Sequence, residues 1–399
     1  MLRCLLLFFL LVIPGSVRSQ SYQDRLYGRV TTADGEVYEG LIRWDKNEVS
    51  WVDLLDGSKR IRGDAHPDHD RGIRLFGFRI RLGDDGTTRQ SGIRFGHIQT
   101  LENAGSDRAR ITLRSGEELE LRGGSTDIGH DNRGIVVEDE RAGLVELRWR
   151  DIERIDFSAT PRRVSSRLGE RLYGTLTTRD GHAFTGYICW DVDEVLTSDE
   201  LDGRDEDRRR RSIPFGDIVE IERLSSRRAR VRLKNGEALV LSGTNDVNDD
   251  NRGILVLDPA LGQVRVPWNA FDRLRLFPPE RSLTYMDFPS TGPLYGTLTT
   301  RDGDKLTGYI RWDDDEAETW EMLNGEQGDI AFAIEFGLIR EIERRSSRAA
   351  RVTLRDGRTF ELRGSNDVSS DNNGIIVRLA SGDVKIIDWS EFDRLVLEK

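Results

Sequence analysis

The chain has 399 residues, 33% of them charged, and its 60 Lys+Arg against 71 Asp+Glu give a net charge of −11. Acidic residues in excess, interspersed rather than blocked, argue against nucleic acid or an anionic membrane as the main partner. Its length is enough for two or three domains.

Residues 1–19 read as a signal peptide. Arg3 supplies the positive start, Leu5–Ile13 is an unbroken apolar run, and Pro14-Gly15 break it before the small residues Val17 and Ser19. Such a run is too short to span a bilayer as a helix. The expectation is a soluble exported protein, periplasmic or secreted, with no membrane insertion after cleavage. Cleavage would remove Cys4 and leave Cys189 as a lone thiol, alternating into an apolar strand as a structural residue.

The rest of the chain repeats itself. Leu172–Glu194 and Leu294–Glu316 are identical at 18 of 23 positions, and Leu26-Tyr27-Gly28 opens a third version. A second motif begins GSTDIGHDNRG, GTNDVNDDNRG and GSNDVSSDNNG at Gly124, Gly243 and Gly364. Recurrence at this period means duplication of a folding unit. The predicted units are repeat 1 over 20–157, repeat 2 over 172–277 and repeat 3 over 294–399. Linkers rich in Pro, Ser and Arg cover 158–171 and 278–293. Repeat 1 carries an insertion over 58–90, with a strand-like stretch at Gly72–Leu82.

Within each repeat, apolar and polar residues alternate around Asp180-Gly181, Asn235-Gly236 and Asp356-Gly357. Alternation around such pairs predicts hairpins closed by type I′ turns, and no 3.6-residue stripe competes with it. The fold class is therefore all-β. Each repeat divides into two similar halves of five short strands, with a one-turn break before the fifth. That plan suits a small barrel, whose closure removes exposed edges.

The opening hairpin and the turn before strand five resemble the Sm-like and Src-homology-type small barrels. The resemblance implies a fold, six barrel-like halves in all. Sm-like proteins bind RNA bases through an Asp and an Asn after strand two. Here Trp190-Asp191 and Trp312-Asp313 lack that Asn, and Asp250-Asn251 stand in a different setting, so RNA binding is not implied.

Three constellations are candidates for function. The repeated loop offers Asp127, Asp131 and Asn132, then Asp246, Asp250 and Asn251, then Asp367, Asp371 and Asn372, as hard oxygen donors for calcium. It is no EF-hand, because Leu257 and Arg378 stand where the bidentate Glu would be. The same loop also reads as a turn in which Asp and Asn bond the backbone, the reading that duplication for folding alone would preserve. Trp44, Trp190 and Trp312 would stack on sugars if exposed and fill a core if buried. His66 and His69, among Asp64, Asp68 and Asp70, form the one histidine-rich spot, with donors that suit zinc. No nucleophile elbow, zinc-protease helix or phosphate loop is present.

The expected role is thus a non-catalytic binding or scaffolding module for a protein or cell-envelope polymer, without a cofactor unless calcium binds the repeated loops. A carbohydrate-binding protein, calcium-dependent or not, is the first alternative. An enzyme with a site near the repeat-1 insertion is the second.

Overall fold

A computed structural model describes residues 22–60, 74–75, 78–79, 88–123 and 125–398. The signal peptide and the histidine-rich spot lie outside the described residues. Within them the protein is all-β, with antiparallel sheets, 3-10 turns and no α-helix.

The first copy shows the plan. Its strands are β1 (Tyr27–Thr32), β2 (Val37–Arg43), β3 (Leu54–Arg60), β4 (Arg74–Leu75), β5 (Phe78–Arg79), β6 (Thr88–Arg94), β7 (Ile98–Gly105), β8 (Arg108–Leu113), β9 (Glu118–Arg122), β10 (Ile135–Asp139), β11 (Gly143–Leu147) and β12 (Ile152–Phe157). Ten of them form one sheet in the order β11-β10-β2-β1-β12-β7-β8-β9-β3-β6. Equivalent ladders recur over residues 173–276 and 295–397. The 3-10 turns Phe95–His97 and Trp149–Asp151 sit where the sequence predicts a break before a fifth strand.

The expectation of closed barrels is corrected: no sheet closes on itself. The two halves of a copy instead exchange strands. The opening hairpin β1–β2 pairs with β10 and β12, from the second half, and the hairpin β8–β9 pairs with β3 and β7, from the first. Two five-stranded sets of one topology result, β11-β10-β2-β1-β12 and β6-β3-β9-β8-β7, joined where β12 meets β7. Strand β2 comes so close to β10 that a Cβ on Gly40 would lie 2.0 Å from the carbonyl oxygen of Glu138. Gly186 and Gly308 are equally confined, at 2.5 and 2.1 Å from the carbonyls facing them.

The hairpin corners also differ from expectation. Gly35, Gly181, Gly236 and Gly357 have φ between 87° and 92°, but the Asp or Asn before them does not adopt positive φ. The Gly35 amide bonds the Thr32 carbonyl and the Thr32 amide bonds Glu36. This is a three-residue loop ending in one left-handed glycine, not a type I′ turn.

The three copies touch one another. Gly262–Val266 pairs with Ile330–Glu335, so copies two and three share a twenty-stranded sheet. The first copy joins through buried ion pairs, Arg171 with Asp53 at 2.9 Å and Arg94 with Glu335 at 3.1 Å, and through the Lys59–Glu321 pair. The segment 278–293 is a strap rather than a free linker: Tyr285 packs on Trp51 with ring centroids 4.6 Å apart, and Phe288 on His97 at 5.3 Å. The insertion leaves from the tip of the β3–β6 hairpin, in which Ser58 still pairs with Gln90.

Candidate functional site: three carboxylate triads, two of them bordering a shared cavity

After β2 the chain makes the turn Trp44-Asp45-Lys46-Asn47, closed by a hydrogen bond from the Asn47 amide to the Trp44 carbonyl. Here both central residues take positive φ, 42° at Asp45 and 72° at Lys46, the pattern of a type I′ turn without glycine. The same occurs at Asp191-Val192 and Asp313-Asp314. Positive φ is unfavourable for a β-branched residue such as Val192, so the surrounding contacts must hold this conformation.

Those contacts converge on carboxylates. The Asp45 carboxylate accepts the Arg133 backbone amide at 2.5 Å and the Thr126 hydroxyl at 2.5 Å. Asp191 accepts the Arg252 amide and its guanidinium, and Asp313 accepts amide donors of Asn366 and Asn373. Beside each lie a glutamate four residues after the Trp and the first Asp of the repeated loop. The resulting triads are Asp45, Glu48, Asp127; Asp191, Glu194, Asp246; and Asp313, Glu316, Asp367. In each, one oxygen per residue lies within 4.8 Å of the others.

The loop aspartates are fixed from the backbone. Asp127, Asp246 and Asp367 each accept an amide N–H at 2.6 Å, from Asp56, Asp202 and Asn324. Their own carbonyl oxygens accept the indole N–H of Trp44, Trp190 and Trp312 at 3.0–3.1 Å.

Of the two readings of the tryptophans the structure leaves the core one, and it rearranges the calcium set. The three tryptophans are 0% exposed and have no face for a sugar ring; they fill the core and tie the turn to the loop. The predicted calcium set also comes apart. Asp131, Asp250 and Asp371 are exposed, while Asn132, Asn251 and Asn372 use their side-chain oxygens to accept the amides of Gly134, Gly253 and Gly374. Only Asp127, Asp246 and Asp367 enter a common site, and their partners come from the preceding hairpin. The recurrent Glu48, Glu194 and Glu316, each four residues after a repeated Trp, carried the signal for them.

Burial dominates the electrostatics. Desolvation, then repulsion by neighbouring carboxylates, pushes Glu48 and Glu316 well above the usual carboxylate range and Glu194 up to about 9. Burial likewise lifts Asp127 well above that range, Asp246 to about 6, and the nearby Asp56 to about 7. These groups bind protons more tightly folded than unfolded. In metal-free buffer their stabilising contribution is complete below about pH 4 and is lost as pH rises through 6 to 9. Thermal melts in chelator should therefore show a midpoint falling by at least about 5 °C between pH 5.5 and pH 8.5. A midpoint that rises over this interval would contradict the buried placement.

The first and third triads border a cavity of about 520 Å³ built by all three copies, while the second stands behind Val192 and Asp193, which line it. Glu48, Asp127 and Arg133 reach it from the first copy, Arg252 and Leu257 from the second, and Glu316 from the third. Asp193 bridges the first two copies there, pairing with Arg133 at 2.6 Å and also with Arg252. Cys189 lines the same space, but burial pushes its thiol well up, which suppresses the nucleophilic thiolate. No family model matches the chain, and no curated protein matches it.

Proposed function

We propose that this is an exported, non-catalytic binding protein in which three copies of one β-unit form a scaffold around a single shared pocket. The observation that supports the reading is the cavity itself, whose wall takes residues from every copy and is complete only when all three pack together. Its lining combines Arg133, Arg252 and Lys59 with carboxylates and an apolar side of Leu255, Leu257 and Met322. Such a lining suits a segment of a protein or cell-envelope polymer that carries both charge signs. Duplication then serves enclosure rather than a row of separate contacts.

The carbohydrate alternative loses its tryptophans to the core, and the enzyme alternative rests on an insertion most of which lies outside the described residues. Ser91 offers a direct test, since it lines the cavity from the edge strand β6, where a larger side chain has room. Bait protein should retrieve a partner from envelope extracts, and Ser91→Trp should lose it while melting at the wild-type temperature. Equal retrieval by both proteins, with the fold intact, would place binding elsewhere.

A further inference from the structure

We propose that each triad is a divalent-cation site of the calcium type, formed by Asp45, Glu48 and Asp127 in the first copy, Asp191, Glu194 and Asp246 in the second, and Asp313, Glu316 and Asp367 in the third. This inference concerns the turns within each copy and does not depend on the partner proposed for the cavity.

Geometry and unmet bonding carry it. Glu48 and Glu316 are only 7% and 8% exposed, yet the Oε2 atom of each is buried without a hydrogen-bond partner. The Oε2 atom of Glu194 is left in the same way. An unpaired carboxylate oxygen away from water is unfavourable unless a proton or a cation meets it. One orphan would be an accident of packing. The same atom orphaned in three equivalent turns, each time facing two more carboxylates, is a prepared set of donors.

Charge supports the choice of a cation. Three carboxylates converge in each triad, and the arginines that reach Asp45 and Asp191 are themselves shared with Asp193. In the first two triads positive charge therefore falls short, and a divalent ion would restore the balance. The donors are all hard oxygens with no histidine or cysteine among them, which favours calcium over zinc. Water would complete the shell, and Glu48 and Asp127 in the first copy and Glu316 in the third open onto the cavity, which gives the ion a way into those two sites. Binding would also explain how the strained turn at Asp45-Lys46 and its equivalents is kept: the ion clamps the turn to the loop that follows.

Terbium is the probe, because an indole bonded to the site can sensitise its luminescence. Full-length protein, excited at tryptophan, should show saturable terbium emission with three ions bound. Calcium should compete with half-saturation at about 10⁻⁴–10⁻³ M, the range of extracellular modules. Glu48→Gln should lower the stoichiometry from three to two, and Glu48→Gln combined with Glu194→Gln and Glu316→Gln should abolish the signal. Glutamine keeps the shape and removes the charge, so circular dichroism of these variants should match wild type. Should one of them unfold, calcium-dependent melting of the wild type decides alone. No terbium emission, together with no shift in melting temperature at millimolar calcium, would overturn the proposal and leave each triad holding a shared proton.

Discussion

Replacing Trp190 by alanine should cost roughly 3–5 kcal/mol, lowering the melting temperature by about 10 °C. The indole is fully buried, lies 5.3 Å from Phe271 and 6.2 Å from both Phe215 and Trp268 between ring centroids, and donates its N–H to Asp246. Truncation removes the largest side chain of that core and also frees the loop that carries one triad carboxylate. Trp190→Phe separates the two effects: it keeps most of the apolar area and drops the hydrogen bond, for about 1–2 kcal/mol. Denaturant unfolding of both variants measures this. If Trp190→Ala kept the wild-type midpoint and lost only a sugar ligand, the core placement would be wrong.

Arg171→Met should destabilise the protein by about 3–5 kcal/mol, through the contact between the first two copies. Arg171 and Asp53 are 0% and 4% exposed, and the guanidinium also donates to the carbonyls of Ile188 and Val195. The methionine would leave the Asp53 charge buried and facing apolar groups. Asp53 has a second task, accepting the amides of Val49 and Ser50 at 2.7 and 2.8 Å. Asparagine can still accept these bonds, so Asp53→Asn in the Arg171→Met background should recover part of the loss. A double-mutant cycle gives the coupling. Strict additivity would show that this pair does not hold the copies together. Equivalent acids sit at Asp199 and Glu321, met by Arg43 and Lys59 of the first copy, so the same logic recurs around the assembly.

Strand identity was legible because it is local. Alternation in segments such as Leu176–Thr185 and the glycine corners fix where the chain pairs with itself, and Gly181 stands at such a corner with φ of 89°. The type of corner was not legible, since Asp-Gly serves a three-residue loop as readily as a two-residue one. Pairing between the halves was hidden for a different reason. Both halves have one strand recipe, so β2 meets an equally suitable surface on β3 or β10, and only the three-dimensional connection selects between them. The same holds for the triads. Asp127 stands out from its repeated loop, but Glu48 does not, because its partners come from a loop far away in sequence. The carboxylate four residues after each repeated Trp was the clue that needed only to be read alongside the Asp.

Exchange of strands sets an order of events during synthesis. The hairpin Tyr27–Arg43 leaves the ribosome long before Ile135–Asp139, the strand that flanks it. At about 5–20 residues per second it waits on the order of 5–20 seconds with its edge bare. Leu54–Arg122, by contrast, contains a whole five-stranded set, β6-β3-β9-β8-β7, and only the pairing of β7 with β12 must wait once its last strand emerges. The nascent chain should thus assemble from the middle of each copy outward. A fragment cut at the midpoint of the sequence repeat, near Ser106, would sever both five-stranded sets, whereas one spanning 54–122 would keep one set whole and lose only the β12 neighbour of β7.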